Sequence, residues 1–169
     1  EFYKNGKLLR NKIKNHPRYP YHLLREEMQE FILDKLQLLI ERKLIKGIGE
    51  NGTEYTVIAQ ILDLPKEILR LIQKFDFTKK NPKLIYINTG ETMISLQDSI
   101  LVTFLNLAGF DILFFVPTGY QSVENYFAEK LMEEHQIGEY KYDMQVPDLN
   151  NISTNSTRPS WRRKLFRRA

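Results

Sequence analysis

Two Thr-Gly dipeptides follow two short apolar runs in the second half of the chain. Thr89-Gly90 comes one residue after the run KLIYI, and Thr118-Gly119 comes one residue after the run DILFFV. A threonine hydroxyl can donate or accept a hydrogen bond, and glycine lets the backbone adopt positive φ or approach a ligand closely. If the runs are neighbouring parallel strands, both dipeptides lie at the sheet edge where α/β proteins bind ligands.

This edge predicts a phosphorylated or nucleotide-like ligand, because the free amides of a helix that follows each strand favour an anion. Glu91 could serve there as a general base or a metal ligand if its side chain faces the cleft. Ordinary turn chemistry at strand ends explains the same dipeptides, and that interpretation stays open. The chain has neither a GxGxxG motif nor a P-loop. The candidate ligand-binding residues are Asn88, Thr89, Gly90, Glu91, Thr118, Gly119, Tyr120 and Ser122.

The composition argues against several other catalytic classes. The chain has no cysteine, which excludes disulfides, thiolate zinc sites, iron–sulfur clusters and cysteine nucleophiles. His16, His22 and His135 do not cluster at metal-binding spacings, so we predict no metal site. No serine stands in a Gly-x-Ser-x-Gly elbow, so a serine triad lacks support. The catalytic residues, the cofactor and the question of whether the chain is an enzyme therefore stay open.

The elements that must position this edge have an α/β pattern. The two apolar runs predict strands at 83–87 and 111–116, each followed by a helix, at 94–107 and 122–134. Strands that are apolar on both faces are typical of parallel sheets buried between helices. We therefore predict a Rossmann-like β-α-β-α parallel unit, part of a larger three-layer sheet. Two strands are too few to complete such a sheet, and the chain starts at Glu1, so we expect the missing strands in a longer protein; the alternative is a small sheet completed by 53–60 and 139–146.

The first half of the chain is predicted to be helical. Apolar residues at helical spacing indicate a helix over about 22–46, with Gly47 as its C-terminal cap. The segment 53–62 is ambiguous between strand and helix, and a further helix follows Pro65. A helix-turn-helix is disfavoured, because neither helix carries the basic residues that phosphates require. The predicted divisions are an N-terminal incoming segment 1–20, a helical subdomain 21–80, the parallel unit 81–146 and a tail 147–169.

The positive charge lies in the tail. Removing the six basic residues between Arg158 and Arg168 from the net charge of +4 leaves −2 for the remainder, which disfavours a nucleic-acid-binding face on the folded body. The Asn-, Ser-, Thr- and Pro-rich composition of 147–160 predicts disorder. Trp161, Leu165 and Phe166 would share one side of a short helix, which suits an anionic membrane surface or an acidic protein groove. RNA binding and a purely solubilising tail are the other interpretations. The candidate tail residues are Arg158, Trp161, Arg162, Arg163, Lys164, Phe166, Arg167 and Arg168.

The location predicted from the sequence is cytoplasmic. No stretch approaches 18 uninterrupted apolar residues, and the first residues lack the segments of a signal peptide. If the basic tail binds lipid, the protein is expected to be peripheral to the inner face of the membrane.

Several motifs together carry a family resemblance. These are the stretch GFDILFFVPTGYQSVENYF with PTGY at 117–120, the loop 88–91, the stretch HQIGEYKYDMQVPDL and the terminal RRKLFRR. The chain resembles the C-terminal part of the YceG-like family of bacteria, which is encoded beside tellurite (toxic-anion) resistance genes. The resemblance implies a longer parent protein and a role in a Ter-associated biosynthetic or stress-response module, and it transfers no catalytic residue. The alternative to a ligand-binding module is a non-catalytic adaptor scaffold whose tail binds a membrane or a partner.

Overall fold

The computed structural model describes residues 2–74, 80–90, 94–120 and 124–146. Helices and strands alternate in groups along the chain, with short elements first and a strand–helix–strand unit last. In chain order, the elements are β1 (Tyr3–Lys4), β2 (Lys7–Leu8), α1 (Arg10–Lys14), α2 (Glu26–Glu41), α3 (Thr53–Ile61), α4 (Lys66–Lys74), β3 (Lys83–Ile87), α5 (Leu96–Leu107) and β4 (Asp111–Phe115).

The N-terminal segment folds onto α2. β1 and β2 form an antiparallel hairpin, and the Leu8 amide donates to the Gln37 side chain over 2.7 Å. Arg10 pairs with Glu30 and Asp34 on α2, at 2.8 and 2.7 Å. Apolar side chains from the segment, including Leu8, are buried in the same core as α2. The segment therefore contributes to the core as well as leading into α2.

α2 is shorter than the sequence predicts. It ends at Glu41 with Arg42 as its C-cap, so Gly47 is not its cap as predicted. Residues after Lys43 turn away instead, and Ile45 forms an antiparallel bridge with Phe127. The ambiguous segment 53–62 is a helix, α3, because Val57, Ile58 and Ile61 bury one helical face against the core.

A parallel strand pair joined by a helix confirms the α/β class. β3 and β4 pair in register from Lys83 opposite Asp111 to Ile87 opposite Phe115. The connecting helix α5 packs against α2 and α3, and the Ser95 hydroxyl caps it by accepting from the Asp98 amide over 3.0 Å. The strands and the first helix of the predicted unit are therefore present.

The prediction of a second helix in this unit is wrong. Described residues 124–134 contain no helix, because Phe127 is buried beside Ile45, and the amides of Lys46 and Ala128 donate to Tyr126 and Leu44 across this bridge. Residues 139–146 form no strand and 53–60 are helical, so neither extends the sheet. Within the described ranges the parallel sheet thus has two strands, and the larger three-layer sheet stays a prediction.

The two faces of the parallel pair differ in burial. Leu84, Tyr86, Ile112 and Phe114 point to the core and pack against it. The alternate residues form an apolar row that is exposed in the described part of the chain: Ile85 (57% exposed), Ile87 (39%), Leu113 (49%) and Phe115 (45%). The sequence predicts that both faces are buried, whereas only one face is buried in the described part of the chain. None of the described helices is long and apolar enough to cross a membrane.

Candidate functional site

The residues that follow β3 and β4 begin side by side. The Asn88 amide donates to the Phe115 carbonyl over 2.9 Å, which continues the strand ladder one step beyond Ile87. Both loops therefore leave the sheet at its carboxyl end, as the sequence predicts. Asn88 and Thr118 are buried polar residues, at 9% and 7% exposure. We call residues 88–90 and 118–120 the Thr-Gly edge.

Hydrogen bonds within each loop hold the edge. The Gly90 amide donates to the Asn88 side-chain oxygen over 3.3 Å, and the Tyr120 amide donates to the Thr118 hydroxyl over 3.3 Å. The Gly119 amide donates to the Val116 carbonyl over 3.0 Å, and its φ of +69° lies in the left-handed region that favours glycine. This is the turn chemistry that the ordinary interpretation expects, and it uses loop amides that a phosphate would otherwise bind.

Of the two helices expected to begin at this edge, the described residues contain only α5. α5 begins at Leu96, and the Ser95 hydroxyl already accepts from the Asp98 amide in its first turn. The second helix is absent from the described residues 124–134, and its predicted N-terminus at Ser122 lies outside the described residues, so an anion site there stays a prediction. Glu91, Ser122 and all the candidate tail residues from Arg158 to Arg168 lie outside the described residues.

Tyr140 covers part of the edge, a contact that no sequence pattern predicts. A Cβ placed on Gly119 would stand 2.2 Å from Cε1 of Tyr140, so the ring lies directly on the glycine. The Lys141 amide donates to the Pro117 carbonyl over 2.8 Å and holds the ring in place. Twenty residues separate Tyr140 from Gly119, and no local pattern links them. The ring can lie this close to the backbone only because glycine has no side chain.

Charged groups lie at the opposite end of the strands. Lys83 and Asp111 form an ion pair at the amino ends of β3 and β4, with Nζ and Oδ2 at 2.6 Å. Hydrogen bonding to Lys83 lowers the pKa of Asp111, while burial, followed by nearby Asp98, raises the pKa of Tyr86 on the core side. Neither group belongs to the Thr-Gly edge.

No metal centre is evident in the part of the chain that the structure describes: it brings no three His, Asp or Glu side chains together in a metal-binding group. Two shallow surface depressions lie away from the edge. One is lined by residues 130–135 and the other by residues of the N-terminal segment, among them Asn11 and His16. The polar chemistry of the Thr-Gly edge is thus that of hydroxyl, side-chain amide and backbone amide groups.

Comparison with known proteins identifies the family. The curated protein named "Uncharacterized protein YceG" from Bacillus subtilis (strain 168) is 31% identical over 93 residues, which cover 53% of this chain and 17% of that protein. The chain thus spans less than a fifth of the length of this relative. No solved structure matches the chain. The YceG domain matches residues 1–157, nearly the whole chain and all of its described part, and the chain therefore belongs to the YceG domain family.

Proposed function

We propose that this chain binds a phosphorylated or nucleotide-like small molecule at the Thr-Gly edge. The observation that carries the proposal is the in-register parallel pairing of β3 and β4, which brings both loops to one end of the sheet. The hydrogen bond from Asn88 to Phe115 keeps them together at the point where they leave the strands. This is where ligands bind in open α/β sheets.

The loops offer exchangeable donors for such a ligand. The bonds from the Gly90 and Tyr120 amides are 3.3 Å long, longer than the usual 2.9–3.0 Å for an amide donor. A phosphate oxygen accepts a stronger, charge-assisted hydrogen bond. These amides would therefore form a more favourable hydrogen bond with a bound anion than with their present partners. The Thr89 and Thr118 hydroxyls supply further donors beside them. The proposal concerns binding and assigns no catalytic residue.

A thermal-shift screen tests this proposal directly. The purified chain is heated with inorganic phosphate, ADP, a sugar nucleotide or tellurite, each with and without Mg²⁺. A ligand at a hundred times its Kd stabilises the fold by about 2.7 kcal/mol. We expect Thr118→Val to abolish that shift, because it removes the hydroxyl while keeping the volume.

Thr103 provides a matched control. It is also buried, at 5% exposure, but its hydroxyl donates to the Ser99 carbonyl inside α5, away from the edge. Thr103→Val is therefore expected to change the baseline stability and keep the ligand shift. A panel without any hit, or a hit that survives Thr118→Val, refutes binding at this edge.

The family resemblance extends the proposal to cellular context. We infer that the binding serves a toxic-anion or envelope stress module in bacteria. A strain without the gene is then expected to become more sensitive to tellurite, and the wild-type gene should restore growth where Thr118→Val does not. Unchanged sensitivity would argue against the stress role while leaving ligand binding to the thermal-shift result.

A second candidate function is an adaptor scaffold, favoured by the exposed apolar row on the parallel pair. Parallel sheets in α/β proteins are covered by helices on both faces, and here α5 and the core cover one face. The five-residue strands are about 17 Å long, which a helix of about 11 residues spans. The occupant that we propose is thus an amphipathic helix with an apolar stripe.

The absence of native cysteine makes this candidate easy to test. Leu113→Cys places a thiol in the exposed row, and Lys12→Cys places one on the exposed surface of α1 as a control. If a helix covers the exposed row in cells, the thiol of Leu113→Cys is alkylated more slowly there than in the purified chain. Each rate is taken relative to that of Lys12→Cys in the same setting. Equal relative rates in both settings would rule out a helix on this face.

The tail is the second part of the adaptor candidate. Six basic residues beside Trp161 and Phe166 would bind an anionic membrane surface or an acidic protein, with about 1 kcal/mol for each cation near the lipid. We expect deletion of 158–169 to reduce flotation with vesicles that contain anionic lipid, and not with neutral vesicles. Equal flotation of both proteins would leave the membrane role without support.

A further inference from the structure

Residues 133–146 reach the Thr-Gly edge at Tyr140 and have few anchors. All of them are exposed, and none is in a helix or strand. The segment follows Met132, which packs partly buried against the core. The Tyr140 ring lies on Gly119 of the edge, and the Lys141 amide donates a hydrogen bond to the carbonyl of Pro117, which precedes the edge. We call residues 133–146 the strap.

The strap is held less strongly than the elements beneath it. Segments with few buried apolar contacts and exposed backbone hydrogen bonds open at lower free energy than the core. Tyr140 is 56% exposed although one side of its ring touches Gly119. Phe127, by contrast, is 4% exposed and anchors the preceding residues in the core. We therefore expect the strap to open at lower free energy than the residues around Phe127.

The position of the ring decides access to Gly119. A Cβ on that glycine would already be 2.2, 2.5 and 2.9 Å from three atoms of the Tyr140 ring. A space too small for one methyl group is too small for a phosphate group. A ligand can reach this part of the edge only after the ring has left.

We propose that the strap is an autoinhibitory cover of the Thr-Gly edge, with Tyr140 as its latch. The proposal rests on the proposed ligand-binding function. In the closed state, the ring occupies the place on Gly119 that the ligand needs. The apparent Kd then equals the intrinsic Kd divided by the open fraction, and anything that releases the latch tightens binding.

Amide hydrogen exchange tests the latch without a ligand. In the full chain, Tyr140→Ala removes the ring, and exchange of the Lys141 amide, which donates to Pro117, is expected to become about fivefold faster. Tyr142→Ala is the matched control, because Tyr142 belongs to the same strap and is 63% exposed. Exchange at Lys141 that is unchanged by Tyr140→Ala, or equally changed by both substitutions, overturns the latch.

Titration with inorganic phosphate and with ADP tests the inhibition. We expect Tyr140→Ala to lower the apparent Kd about fivefold and Tyr142→Ala to leave it unchanged. Equal or weaker binding by Tyr140→Ala overturns autoinhibition even where exchange is faster. Absence of binding by every variant refutes the proposed function, and the inhibition with it, whereas the exchange result still decides whether Tyr140 holds the strap.

Discussion

Two neighbouring buried tyrosines should respond in opposite ways to loss of their hydroxyl groups. Tyr19 and Tyr21 are 4% and 2% exposed, and their rings meet edge to face with centroids 5.8 Å apart. The Tyr21 hydroxyl donates to the Ile61 carbonyl over 2.5 Å and accepts from the Leu64 amide over 3.0 Å. The Tyr19 hydroxyl has no partner among the described residues. Phenylalanine keeps the ring in both cases and removes only the oxygen.

The magnitude follows from what each oxygen leaves behind. Tyr21→Phe deprives a carbonyl at the end of α3 and an amide before α4 of their partner. Each buried group left unsatisfied costs about 1–3 kcal/mol, so we expect the free energy of unfolding to fall by about 3 kcal/mol. Tyr19→Phe removes a buried hydroxyl that makes no hydrogen bond, so it is expected to be neutral or to stabilise the fold by about 1 kcal/mol.

Urea denaturation followed by far-UV circular dichroism measures both changes. The midpoint should fall for Tyr21→Phe with an unchanged m-value, which marks a change in stability rather than in the compactness of either state. In a chain of this size, 3 kcal/mol corresponds to a decrease in Tm of about 6–12 °C. Destabilisation of similar size in the two variants would refute the reasoning, because it would assign the effect to the rings and not to the hydrogen bonds.

Two further predictions concern an ion pair and a turn. Hydrogen bonding to Lys14 lowers the pKa of Glu30 below its usual 4.5, so this interaction stabilises the fold above that pH and is lost as the pH falls through the lowered pKa. Lys14→Met should weaken this acid dependence of the urea midpoint at a cost below about 1 kcal/mol, since the carboxyl is partly exposed and keeps its ion pair with Arg10. Gly47→Ala should destabilise the fold by about 2 kcal/mol in the same assay, because the new Cβ meets the Asn51 side chain at 2.5 Å and φ is +87°. Gly6→Ala measures the backbone cost alone, because Gly6 has a φ of +80° and no atom within 4 Å of the new Cβ. Equal losses of stability in Gly47→Ala and Gly6→Ala would disprove the steric contribution.

Local patterns were sufficient for most helices and for both parallel strands. The predicted helix 94–107 agrees with α5 within two residues, because its apolar spacing and the following Gly109 lie within one short window. The in-register pairing of β3 and β4 agrees with the expectation that both loops leave one edge. Membership of the YceG family was likewise confirmed by the YceG domain match, whereas the tellurite-resistance context stays a prediction. The helix and the strands themselves depend on residues that are close together in sequence.

The segment 122–134 shows where local patterns mislead. Its residues have good helix propensity, and propensity alone predicts a helix there. The structure instead buries Phe127 against Ile45, more than 80 residues earlier in the chain, and backbone hydrogen bonds on both sides of this bridge replace those of a helix. Burial of one aromatic side chain is worth more than the small differences in propensity that favour the helix.

The sequence by itself determined the α/β class, the two apolar strands, the helix between them and the polar residues that follow each strand. Periodicity and turn chemistry act over a few residues, so they can be read without the fold. Only the tertiary structure decided that one strand face is exposed in the described chain and that Tyr140 lies on Gly119. Both depend on which distant segments reach the sheet, and packing between distant segments leaves no periodic signal in the sequence.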